Sequence, residues 1–108
     1  MIVILYFTAI FILNIFLLGY FQAFTKNKWE DFPYNRFLMI KSLENQYTLA
    51  GMQKEEVLAL LGEPGNLGRK TDKELEYFIK SKSSLEDEVY IIAFQDNVAT
   101  KYWRAKYD

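Results

Sequence analysis

Two pairs of adjacent carboxylates, Glu55–Glu56 and Glu86–Asp87, come nearest in this sequence to an acid–base dyad. General acid–base catalysis needs two such groups aimed at one point, one holding its proton while the other gives its proton up. Glu55 and Glu56 fall in a stretch that reads as a helix, where neighbouring positions do not face each other. Glu86 and Asp87 fall in the polar run Ser81–Glu88, which reads as a hairpin tip. The chain contains no His and no Cys. The commonest general base and metal ligand is therefore missing, as are thiolate nucleophiles, thiolate metal sites and disulfides. Gly65-Asn66-Leu67-Gly68 has the glycines of a phosphate loop but not their spacing, nor the preceding strand and following helix, and it reads as a flexible connection. No catalytic residue, cofactor or metal is expected. One further side chain could do chemistry. Arg36 falls within an apolar helical arc, either as a semi-buried anion contact or, more simply, as a first-turn Arg reaching solvent or a nearby carboxylate.

The elements that would position these groups begin with a long apolar run. Residues 1–24 carry no charged side chain, and Thr8, Asn14 and Gln22 are their only strongly polar ones. As a helix the run would be roughly 36 Å long against a hydrocarbon core of about 30 Å, so 1–25 reads as a transmembrane anchor in contact with membrane lipid. A secretory signal peptide is the competing reading; against it, the start has no Lys or Arg and no small-residue cleavage site is convincing around Gly19–Ala23. Asn14 fits either a helix–helix contact or a tolerated polar residue. Lys26, Lys28, Arg36 and Lys41 all follow the run, a bias that favours a cytoplasmic soluble part. The net charge of −1 in 108 residues gives no support to nucleic-acid binding.

Residues 26–47 read as a junction and a spacer helix. Trp29, Lys26 and Lys28 fit the headgroup level of a membrane interface; the alternative for Trp29 is packing on the domain itself. Pro33 suits the first turn of a helix running to about Tyr47, with Phe37, Ile40, Leu43 and Tyr47 on one face and Asn35, Ser42 and Gln46 on another. A second, shorter helix follows with both ends written locally. Gln53 and Glu56 form a capping box, Met52 and Val57 a hydrophobic staple, Gly62 closes the last turn and Pro64 prevents a restart.

Beyond it, three segments alternate as strands: Glu74–Lys80, Val89–Gln95 and Val98–Trp103, the last two joined by a tight Asp96–Asn97 turn. The fold class expected is α+β: a transmembrane helix, then a two-layer ααβββ unit with both helices on one face of a three-stranded antiparallel meander. If Tyr77, Ile92 and Phe94 face the helices, the open face carries Phe78, Ile91, Lys101 and Trp103. Those four are the candidate partner-binding residues; the alternative is scattered apolar residues or cover from the C-terminal tail.

The run Leu49-x-Gly51-Met52-x-Lys54-x-x-Val57-x-x-Leu60-Leu61-Gly62-x-Pro64 is similar to the start of the small outer-membrane assembly lipoprotein family, also called SmpA/OmlA or BamE-like. Glu76-Tyr77, Ile92-x-Phe94 and Asp96-Asn97-Val98 match that family's later pattern, and the resemblance covers about Thr48–Tyr102. The ααβββ unit also resembles the repeat of β-lactamase inhibitor proteins. These resemblances imply a BamE-like domain over 48–108 sharing the spacer helix, an exported location and a protein-binding role. Two positions depart from the family: Tyr20 follows Leu17-Leu18-Gly19 where a lipidated Cys would stand, and Gln53 replaces the usual Thr or Ser. The expected function is a membrane-anchored, non-enzymatic protein-interaction module of the bacterial envelope with an unknown protein partner, assisting envelope protein assembly. The alternative is a small membrane-bound immunity or inhibitor protein.

Overall fold

The computed structural model describes residues 2–83 and 86–107. In chain order it has helix α1 (Ile2–Gln22), helix α2 (Lys26–Asp31), a 3-10 helix (Pro33–Leu38), and helices α3 (Ile40–Gln46) and α4 (Lys54–Leu61). Strands β1 (Arg69–Lys70), β2 (Glu74–Ser83), β3 (Glu86–Gln95) and β4 (Val98–Tyr107) follow. The expected transmembrane anchor is corrected by this structure. Among the described residues no helix is long and apolar enough to cross a membrane, and the single-pass localisation falls with it. The end of α1 instead packs onto the domain, with Phe21 against the core and the Tyr20 carbonyl accepting from Lys28 Nζ at 2.7 Å. The reading of Asn14 as a helix–helix contact lies outside the described residues.

The expected spacer helix is broken into shorter pieces. Thr25 caps α2, its hydroxyl accepting from the Lys28 backbone N–H at 3.2 Å. Pro33 has no N–H to donate and opens the 3-10 helix. That helix tightens to i→i+3 bonds, such as Met39 N–H to the Arg36 carbonyl at 2.9 Å, before α3 resumes α geometry. The polar face foreseen for this region secures the chain entering it. Phe24 N–H donates to Ser42 Oγ at 2.9 Å, and Gln46 Nε2 donates to the Phe24 carbonyl at 3.2 Å.

Helix α4 matches the locally written ends. The Gln53 backbone N–H donates to Glu56 Oε1 at 3.4 Å, and Gly62, at φ 78°, bonds back to the Leu58 carbonyl. Val57 and Leu61 are buried and Met52 packs beside them.

The sheet is four-stranded and antiparallel in the order β1-β2-β3-β4, not three-stranded. The extra strand, β1, leads into a Thr71–Glu74 turn in which Thr71 N–H donates to the Glu74 carbonyl at 2.9 Å. Nor is Ser81–Glu88 a loop. The ladder runs on through Lys80↔Glu88, Ser81↔Asp87 and Ser83↔Glu86, while residues 84 and 85 lie outside the described residues. Asp96 and Asn97 both take positive φ, 53° and 64°, as the two-residue turn between β3 and β4 requires.

One core lies between the helices and a sheet face. It gathers Phe24, Trp29, Met39, Ile40 and Leu43 with Leu49, Val57 and Leu61, against Leu75, Tyr77, Ile79, Tyr90, Ile92, Phe94 and Ala99. Phe24, Trp29, Met39, Ile40 and Leu43 thus tie this segment into the domain's interior. Gly68 allows the closest approach in the fold, since a Cβ there would stand 2.2 Å from the Glu76 carbonyl oxygen and 2.8 Å from Pro64 Cβ. Gly68→Ala is expected to lower unfolding stability by about 2 kcal/mol, read as a lower urea midpoint at unchanged slope.

Candidate interaction face

Strand pleating and register decide which side chains share the outer face of the sheet. Three antiparallel pairings place Arg69, Glu76, Ile91 and Trp103 in one row across all four strands. A parallel row runs Phe78, Val89 and Ala105, and Ala93 stands opposite Lys101. Phe78, Ile91, Lys101 and Trp103 therefore lie on one face. Only part of the group is exposed, however. Phe78 is 4% and Ile91 6% exposed, against 40% for Trp103, while Lys101 is open to solvent. Phe78 is covered edge-on by Tyr34, whose ring centroid is 5.1 Å away.

At the other end of the long row, Arg69 bonds the nearly buried Glu76 carboxylate at 3.0 Å. Leu67, Gly68, Arg69, Glu76 and Val89 line an open depression of about 300 Å³ beside that pair. The exposed apolar surface of this face is thus centred on Trp103, with Lys101 next to it.

A register shift between Ala93 and Phe94 changes the facing of β4. Strict alternation would put Ala99 with Lys101 and Trp103. The bulge instead pairs Ala99 with Phe94 and buries it in the core, while Lys101 pairs with Ala93 on the outer face.

Trp29, Lys26 and Lys28, expected at a membrane interface, do not form such a belt. Trp29 is fully buried, edge-on to Phe24 at 5.9 Å and Tyr77 at 5.8 Å. Lys28 turns inward, its Nζ donating to the Tyr20 carbonyl at 2.7 Å and lying 4.4 Å from the Tyr20 ring centre. Lys26 is exposed.

Arg36 is buried and donates to two backbone carbonyls. Its Nε donates to the Trp29 carbonyl at 2.6 Å, its Nη1 to the Phe78 carbonyl at 3.1 Å, and its guanidinium carbon lies 4.8 Å from the centre of the Trp29 ring. Burial lowers its pKa from the usual guanidinium range, with Tyr77 and Glu30 opposing that shift. Two phenols close the core on either side. Tyr77 donates to the Gly62 carbonyl at 2.7 Å and Tyr90 to Glu44 Oε1 at 2.8 Å. Burial holds both in the neutral form well above the usual phenol range, Glu63 adding to the effect at Tyr77 and the Glu44 hydrogen bond at Tyr90.

Glu55 and Glu56, adjacent on one helix, do not converge on a single point. Glu55 and Glu56 sit in the first turn of α4 with Glu56 committed to the cap, and the Glu86 side chain lies outside the described residues. Among the described residues no group of three or more acidic side chains could hold a metal ion. Sequence reasoning missed Tyr34 and Arg69 as parts of this face. Their only signals are an aromatic after Pro33 and a basic pair before the Thr71–Glu74 turn, neither of which fixes a face. No family model, curated protein or solved structure matches the chain.

Proposed function

We propose that the chain is a non-enzymatic protein-interaction module that holds a protein partner against the outer face of its sheet. The observation that carries this reading is Trp103, a 40%-exposed indole on a paired strand, in a row whose other apolar member, Ile91, is buried. Large aromatic side chains in such settings act as anchors for partner surfaces, because they bury much area while losing little conformational freedom. The Leu49–Pro64 signature supports the same reading through its resemblance to BamE-like assembly factors, and assistance to assembling envelope proteins is the role it suggests.

A photocrosslinking side chain at Lys101, in the cell that makes this protein, tests the proposal. We expect one crosslinked protein partner, at least tenfold less of it when Trp103→Glu is added, and an unchanged melting temperature for that variant. Trp103 is solvent-facing, so its replacement leaves the core intact. Recovery of no partner, or the same yield with Trp103→Glu, would reject the outer face as the binding surface.

A further inference from the structure

We infer that the free edge of β4 takes an acidic extended peptide as a fifth antiparallel strand, beginning where the protein's own loop stops covering that edge. This rests on the interaction-module reading and names the chemistry of its partner.

β4 is the last strand of the sheet, and its N-terminal end is already occupied. Gly51 N–H donates to the Ala99 carbonyl at 2.8 Å, Ala99 N–H to the Met52 carbonyl at 2.8 Å, and Lys54 N–H to the Asn97 carbonyl at 2.8 Å. Gln53 forms a bridge with Val98. That mimic of a fifth strand ends at Ala99. From Thr100 to Tyr107 the strand continues, and among the described residues nothing pairs with its outer side. Every second residue of an edge strand points its N–H and C=O away from the sheet, which leaves a template for one more strand.

Charge decides the occupant. Val98–Tyr107 carries Lys101, Arg104 and Lys106 and no acidic residue. Within the sheet the signs alternate from strand to strand: Lys80 of β2 stands opposite Glu88 of β3, which stands opposite Lys106 of β4. Glu88 also pairs with Arg104. The next strand in this series would carry carboxylates. A second copy of the chain, paired antiparallel through β4, would set one all-cationic strand against another, and like charges placed opposite each other are unfavourable. Tyr102 and Trp103, exposed on opposite faces of β4, would flank the added strand and cover its apolar side chains.

The test uses the full chain and a labelled eight-residue probe of alternating Val and Glu. Its controls are a Val–Lys version and an acidic version N-methylated at alternate residues, in the two alternating patterns. We expect saturable binding of the acidic probe with new amide-exchange protection confined to 100–107. Affinity should fall at least tenfold in Lys101→Glu/Lys106→Glu, the Val–Lys probe should gain on that variant, and at least one N-methylated probe should fail to bind. Several results would overturn the inference: no binding of the acidic probe, protection elsewhere, or equal binding of both methylated probes. Concentration-dependent dimerisation that protects the same edge would also overturn it, because the site would then belong to a second copy. If the edge assay fails while Trp103→Glu still abolishes the photocrosslink, the edge proposal alone is rejected. Failure of both rejects the interaction module.

Discussion

Replacing Arg36 with Met is expected to lower unfolding stability by about 3 kcal/mol, a large share of what a domain of this size holds in reserve. The guanidinium joins three parts of the fold through the end of α2, the 3-10 helix and the middle of β2, by donating to the Trp29 and Phe78 carbonyls. Methionine is long and apolar enough to fill much of the space, so the loss is mainly of donors. Two carbonyl oxygens in a buried setting would be left without this partner, each costing about 1–3 kcal/mol, and the contact with the Trp29 ring would go as well. Arg36→Lys should recover less than half of the loss, because one ammonium on a flexible stem cannot reproduce the planar fork. The measurement is the urea midpoint of each variant at unchanged slope. If Arg36→Met matched the parent chain, these two hydrogen bonds would not be what joins the helices to β2.

The difference between reading Arg36 in the sequence and finding it in the fold shows where local pattern stops being informative. Its position on an apolar arc was legible, but its partners were not. Both are backbone carbonyls, one of them 42 residues away, and a backbone carbonyl leaves no mark in a sequence. The ends of α4 were legible for the opposite reason: cap, staple and closing glycine act within a few residues of one another. The strands were visible where apolar and polar residues alternate. They disappeared from view at Ser81–Glu88, where cross-strand pairs such as Lys80↔Glu88 extend the ladder without any hydrophobic period. The bulge beside Phe94 turns Ala99 inward and leaves Lys101 and Trp103 outward, a choice no alternation rule can make. The aromatic, basic junction around Trp29 suits a membrane headgroup zone and a protein core equally well by composition, and only the packing of Phe24 and Tyr77 decides between them.

That packing makes Trp29 the other position of large expected effect. Trp29→Ala should cost about 4 kcal/mol, since it empties a fully buried site touching Phe24, Tyr77 and Arg36. Trp29→Phe should behave differently. Among the described residues the buried indole Nε1 has no hydrogen-bond partner, so the ring contributes through its area and its faces while its N–H is a liability of about 1–3 kcal/mol. Phenylalanine gives up some of that area and removes the unsatisfied donor, and the two changes partly offset each other. The net cost should stay below about 1.5 kcal/mol, with the Arg36 contacts retained. Equilibrium unfolding of both variants separates these contributions. If Trp29→Phe proved as damaging as Trp29→Ala, the N–H would have to be bonded in solution, and a water molecule held beside Nε1 would become part of the core that joins α2 to the sheet.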